Sequence, residues 1–255
     1  MIDLHCHILP GVDDGAQSLE EAALMCRLAA ADGCTAMVAT PHQRRGEWWN
    51  DDVEELRDKA DALQAAVGSE LQVLLGGEVH AHPGLLEEIA SLPAGGLLTL
   101  AGSRYLLLEL GPYHSAGMAA DLAHEIVIAG WRPVIAHPEL IPWLAPDLGT
   151  VQRLIGLGAV VQVTAMSITG EFGRRPQQDV LRLLDAGLVH FVASDSHGPR
   201  RRPPGLSRAC HAITSRWGEE TAVRLTEDNP RAVIEDRPLP ALSPGSPAAS
   251  TGAEA

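Results

Sequence analysis

The chain has 255 residues, 45% of them hydrophobic, with a mean hydropathy of +0.02. That length suits a single closed α/β barrel, which typically runs to about 250 residues, and the composition is that of a water-soluble globular protein. The formal net charge of −14 argues against a nucleic-acid backbone as the main partner, because such binding needs stripes of Lys and Arg.

Taken in chain order, short Leu-rich and β-branched runs read as buried strands at Ile2–His5, Thr35–Thr40, Leu71–Glu78, Tyr105–Glu109, Pro133–His137, Val160–Thr164 and His190–Asp195. Between them lie helical stretches at Ser18–Asp32, Asp52–Val67, Ala116–Ala129, Asp147–Leu157 and Pro176–Ala186, and a last pair at Ser207–Trp217 and Glu219–Leu225. Ser18 and Glu21 have the spacing of a capping box, and Gly33 is the matching stop. Seven strand–helix units predict a parallel (β/α)7 TIM-like barrel over residues 1–235. From Asp236 to Ala255 the chain turns to Pro, Ser and Ala, which predicts a disordered tail. Cys6, Cys26, Cys34 and Cys210 form no CxxC pair, so reduced thiols are expected. No leader-like start and no apolar run of about 18 residues is present, so a cytoplasmic location without membrane insertion is expected.

Six of the seven strands end in a residue able to bind a metal. The ends are His5-x-His7, His42 after Thr40-Pro41, Glu78, Glu109, His137-Pro138-Glu139, and Asp195 with His197. In a parallel barrel all these ends lie on one face, where barrel active sites sit. Alternate residues of a strand share a face, so His5 and His7 are expected to point together, with Asp3 one layer deeper as an orienting carboxylate. With Asp14 the candidate ligands are His5, His7, Asp14, His42, Glu78, Glu109, His137, Asp195 and His197. Imidazoles and carboxylates without thiolate suit Mn, Zn or Fe better than Ca. Nine ligands exceed the needs of one ion and point to two or three, a cluster that would attract a phosphate dianion. His80, His82, His114, His124, His190 and His211 are read as structural or surface residues.

The segments MIDLHCHILPGVDDG, TPH, GGEVH, LLLEL, AHPE, QVTAMSITGEFG and ASDSHGPRRRPP resemble, in order and spacing, the PHP superfamily. The match is nearest to its bacterial tyrosine-protein phosphatase branch, which accompanies capsular and exopolysaccharide synthesis, and covers about residues 1–230. The resemblance implies a distorted barrel holding three metals, usually manganese. It implies as partner a phosphotyrosine-bearing tyrosine autokinase that regulates polysaccharide export. It selects Asp14 over Asp13 as ligand and places a phosphate-contacting arginine at Arg202. Three positions depart from the family pattern: Leu140 stands where His-Pro-Glu is often followed by Arg, Gln43 where a second His often follows Thr-Pro-His, and Thr164 where an Asn is usual. Arg44 or Arg45, just after His42, could restore the lost positive charge.

Other readings compete. A small-metabolite phosphatase, such as one acting on histidinol phosphate, would use the same ligands, and a catalytically weakened regulatory homologue would retain them. A metal nuclease of similar fold conflicts with the acidic charge. Cys210 and Arg216 have the C-x5-R spacing of cysteine-dependent tyrosine phosphatases, but the intervening residues lack glycine and fit an amphipathic helix. A carboxylated-lysine amidohydrolase needs a lysine at a strand end, and Lys59, the one lysine, falls inside a helical stretch. Trp48 and Trp49 are read as covering the barrel mouth more than lining a groove. Oligomeric state is not legible.

Overall fold

Every pairing between the strands of this computed structural model is parallel, and helix separates successive strands except between Ala39 and His42 and between Leu75 and Glu78. The structure describes residues 1–92, 95–240 and 242. The order is β1 (Ile2–Cys6), α1 (Leu19–Ala31), β2 (Ala36–Ala39), β3 (His42–Gln43), α2 (Val53–Val67), β4 (Gln72–Leu75), β5 (Glu78–His80), α3 (Leu85–Ile89), β6 (Tyr105–Glu109), α4 (Ala116–Ile128), β7 (Arg132–Ile135), α5 (Leu148–Gly156), β8 (Val160–Thr164), α6 (Ala165–Thr169), α7 (Arg174–Asp185), β9 (Phe191–Ala193), α8 (Ser207–Trp217), α9 (Glu219–Val223) and α10 (Asn229–Ile234).

Strands β1-β2-β4 form one sheet and β3-β5-β6-β7-β8-β9 a second, curled one. The sheets are two parts of one ring. Chain continuity joins β2 to β3 through Thr40-Pro41, and β4 to β5 through Gly76-Gly77. At the other seam His7 N donates to Ser196 O at 2.8 Å and Asp195 N to His5 O at 2.8 Å. Seven strand paths therefore run around a distorted barrel, as the strand–helix alternation predicts. The distortion lies where the second and third paths break, beside Pro41, which lacks an N–H for the ladder, and beside two glycines.

The helices begin where side chains cap them. Ser18 Oγ accepts from Glu21 N at 3.2 Å, and Asp52, Ser115 and Asp147 do the same for Glu55, Met118 and Thr150. The reciprocal half of the capping box is displaced by one residue, since the Glu21 carboxylate accepts from Gln17 N at 2.9 Å. Helices α3, α6 and α10 are too short to show a period in the sequence, and the expected stretch to Leu225 passes at Arg224 into a wider turn that leads to α10.

The apolar side chains divide into two layers. Ile2, Leu4, Val38, Tyr105, Leu107, Val134 and Phe191 fill the barrel interior toward the strand starts. A larger layer, including Met25, Leu63, Ile126, Leu154 and Leu183, lies between strands and helices. The interior is thus plugged from below, and its open end is the face where the strands finish. At the base, Asp236 pairs with Arg104, the Tyr105 hydroxyl donates to Arg237 O at 2.8 Å, and Leu239 packs on the inner layer. The chain therefore remains docked for several residues past Asp236, where the sequence places the start of the tail. Residues 241 and 243–255 of that expected tail lie outside the described residues. Among the described residues, no helix is long and apolar enough to cross a membrane.

Candidate metal centre

The face where the strands end gathers all nine candidate ligands into four overlapping groups, each with donor atoms within 4.8 Å of one another. The groups are His7–Asp14–His42–His197, His5–Glu78–His137, His5–His7–Asp195, and His42–Glu78–Glu109. His5 and His7 do point together, with Nε2 atoms 3.2 Å apart. Glu78 stands at the centre, its Oε1 2.9 Å from His137 Nε2 and 3.3 Å from His5 Nε2, and its Oε2 2.7 Å from His42 Nδ1. His137 and Asp195 occupy left-handed backbone at φ 33 and φ 52, just past β7 and β9. Such strain in non-glycine residues collects at functional sites.

The imidazoles and carboxylates of this cluster lie close enough to set one another's charge. Burial pulls the His5 imidazole down, but the Glu78 and Asp195 carboxylates outweigh it and hold the group at about 10. His42 is pulled down by burial and raised by Asp14 and Glu78 to about 9. Burial pushes Glu78 up, yet His5, His137 and His42 hold it well below the usual carboxylate range. Asp195 is likewise lowered against its burial, by His5, His7 and Arg202. His197, buried beside His7, falls to about 3. In the protein without metal, protons on imidazoles thus neutralise carboxylates that an ion would otherwise satisfy.

Residues 1–235 match the family described as capsular polysaccharide synthesis, CpsB/CapC. The chain belongs to this family. It is 34% identical over 231 residues to the tyrosine-protein phosphatase YwqE of Bacillus subtilis, covering 89% of each chain. It is 30% identical over 244 residues to the tyrosine-protein phosphatase CpsB of Streptococcus pneumoniae, covering 93% of this chain and 99% of that one. A crystal structure from a study of YwqE and CpsB as metal-dependent tyrosine phosphatases superposes with a TM-score of 0.88 at 31% identity, over 97% of this chain and 99% of that one.

Within this CpsB/CapC-type barrel, several residues outside the candidate ligand set hold the candidate ligands in place. Gln162 Oε1 lies 2.9 Å from His5 Nδ1, so β8, the strand without a terminal ligand, still serves the site. Asp13 lies 2.8 Å from His7 Nδ1 and also accepts from Gly15 N and His42 N. Each fixes the ring so that Nε2 faces the centre. Asp13 was visible only as the neighbour of Asp14. His80, read as structural, lies 3.1 Å from Glu109 Oε2 and lines the cleft. The signal for it was the Glu78-x-His80 alternation, the same pattern that pairs His5 with His7.

Asp3 behaves differently from the expectation. Asp3 pairs with Met37 and Cys6 with Ala39, so Leu4 and His5 together oppose Val38. This bulge breaks the alternation, and Asp3 no longer shares a face with His5. Its carboxylate instead accepts from the backbone N–H groups of His5 and Ser194, tying the first strand to the last.

Six of the candidate ligands, His42, Glu78, Glu109, His137, Asp195 and His197, line a cleft of about 450 Å³ whose walls include Arg45, Leu110, Leu140, Ile141, Pro142 and Arg202. Arg202 pairs with Asp195, and its Nε is buried without a partner. Leu140 leaves its wall uncharged. Gln43 faces away, donating to Asn50 O and Gly96 O and accepting from Leu98 N, so it anchors loops. Thr164 N donates to Glu139 Oε1 at 2.8 Å. The structure separates Arg44 from Arg45: Arg44 is tied to Glu88, while Arg45 enters the cleft. Trp48 stacks on the His42 ring at 5.3 Å, and neither it nor Trp49 lines the cleft.

The competing chemistries find no geometry. Cys210 and Arg216 lie on one helix, α8, and Arg216 pairs with Asp185, so no anion-binding loop encloses the thiol. Lys59 lies in α2 and donates to Pro10 O, away from any strand end.

Proposed function

We propose that this chain is a metal-dependent phosphomonoesterase that hydrolyses phosphotyrosine on a bacterial tyrosine autokinase regulating polysaccharide synthesis and export. It is a hydrolase of the tyrosine-phosphatase type, independent of cysteine, and it acts in the cytoplasm, where its free thiols would stay reduced. The observation that carries the reading is the convergence of His5, His7, Asp14, His42, Glu78, Glu109, His137, Asp195 and His197 into overlapping donor groups, six of whose residues line one cleft. As proposed ligands they would hold three ions, manganese first, with iron or zinc as alternatives.

The residues fit such ions. His42 Nδ1 and Glu78 Oε2 are 2.7 Å apart, yet that oxygen accepts no hydrogen bond, and the His5 and His7 nitrogens face each other across 3.2 Å. Imidazole nitrogens and carboxylate oxygens gathered this closely, one of them without a hydrogen bond, form the donor set an ion requires. Bound divalent ions would supply an activated water at neutral pH and positive charge for the phosphoryl oxygens. The chain supplies the rest. Arg202 stands in the cleft wall as the proposed phosphate contact, and its pairing with Asp195 fixes the guanidinium. Leu110, Leu140, Ile141 and Pro142 give an apolar wall that suits an aryl ring better than a small polar metabolite.

Metal analysis combined with a substrate panel tests the proposal. Phosphotyrosine peptide should be hydrolysed in preference to phosphoserine peptide, histidinol phosphate and single-stranded DNA. Absence of any phosphomonoesterase activity with manganese present would refute it.

A further inference from the structure

Residues 44–49 form a hairpin at the rim of the cleft. Arg45 N donates to Trp48 O at 3.2 Å and Trp48 N to Arg45 O at 2.9 Å, and Gly46 at φ 55 makes the reversal. The hairpin is fastened at its base. The buried Arg44 guanidinium donates to Glu88 Oε2 at 2.7 Å and to Trp49 O at 2.8 Å, and lies 4.9 Å over the Trp49 ring. Asn50 Nδ2 adds hydrogen bonds to His42 O and Val12 O. Arg44 has φ 63, and this left-handed step sends the next side chain away from Glu88 and into the cleft.

Arg45 is therefore placed by its backbone. Its Nε lies 3.4 Å from Glu109 Oε2, its Nη1 reaches His42 Nε2, and its guanidinium lies 5.9 Å from the Trp48 ring. About 39% of the side chain is exposed, although the hairpin around it is pinned. Both polar partners, His42 and Glu109, belong to the candidate ligand groups. Were His42 and Glu109 to hold an ion through these atoms, the guanidinium donors would be free to face whatever fills the cleft. The other guanidinium in the wall, Arg202, is held in place by Asp195.

We propose that Arg45 binds the phosphoryl oxygens of the substrate, so that the hairpin and Arg202 share phosphate recognition in this chain. The inference rests on the phosphatase reading of the cleft. A planar guanidinium meets two phosphoryl oxygens through a fixed fork of parallel N–H groups, whereas a lysine acts as a flexible point charge.

The test uses full-length manganese-loaded protein as wild type, Arg45→Ala and Arg45→Lys. Three quantities are read: manganese content, affinity for inorganic phosphate by calorimetry, and kcat and KM on a phosphotyrosine peptide. Arg45→Ala should keep its manganese and lose roughly tenfold to a hundredfold in phosphate affinity, with KM rising in parallel and kcat changing less. Arg45→Lys should recover part of the loss. Full manganese with unchanged phosphate affinity and KM in Arg45→Ala overturns the proposal. So does a variant that loses manganese but, once reloaded, binds phosphate as wild type does, since Arg45 would then only position His42. If the wild type binds phosphate through Arg45 yet hydrolyses no phosphomonoester, the functional reading fails and the role of Arg45 stands.

Discussion

His5 and His7 face each other at 3.2 Å because each ring is turned from behind by a different residue, Gln162 on His5 Nδ1 and Asp13 on His7 Nδ1. The two orienting residues come from separate parts of the chain, the loop after β1 and strand β8, so the pair reports on the barrel as well as on its own strand.

Replacing His5 and His7 together by alanine should abolish both metal binding and hydrolysis, read by metal analysis and turnover. Asp13→Ala should act more mildly, lowering metal affinity or activity about 10- to 100-fold, as loss of an orienting partner typically does. Metal titration distinguishes these cases, and a wild-type affinity in Asp13→Ala would show that the carboxylate does not set the His7 ring.

Gly15 closes the loop that carries Asp13 and Asp14. A Cβ there would lie 2.1 Å from His7 O and 2.5 Å from His7 Cβ. Neither atom can yield without displacing a proposed ligand. Gly15→Ala should cost about 1–3 kcal/mol or more of stability and weaken metal binding along with it. Urea unfolding and metal titration of the variant check both effects.

Cys210→Ser should keep full activity, while EDTA should remove it and added manganese restore it. The thiol sits in α8 near Thr226, remote from the ligands. Loss of activity on the serine substitution alone would return attention to cysteine chemistry.

His190 gives the fold an acid-sensitive point distinct from the metal cluster. Burial lowers this imidazole to about 4, aided by the Arg224 charge, and its Nδ1 accepts from Val161 N at 3.0 Å. The folded value lies below the ordinary value of 6.5, so stability is fully present above pH 6.5 and lost as pH falls toward 4. The loss amounts to about 2 kcal/mol at pH 5 and about 3 kcal/mol below pH 4. Chemical denaturation at pH 7 and pH 5 should show this decline in metal-free wild type and a shallower one in His190→Asn. Equal slopes would assign the acid sensitivity elsewhere.

The sequence by itself determined the seven strand paths and the residues that end them. Strand–helix alternation forces parallel pairing, and a parallel ring puts every carboxyl end on one face, so His42, Glu78, Glu109, His137 and Asp195 had to converge whatever the details. Local rules failed where a single backbone step reverses a direction. The bulge opposite Val38 moves Asp3 off the face of His5, and the left-handed step at Arg44 sends Arg44 to Glu88 and Arg45 into the cleft. Both steps depend on partners distant in sequence, namely Met37 and Ala39 for the first and Glu88 for the second. The choice of Asp13 to orient His7 and of Gln162 to orient His5 is likewise made only when separate strands meet. Spacing along one strand therefore predicts which residues reach the site, and the packing between strands decides which atoms they present to it.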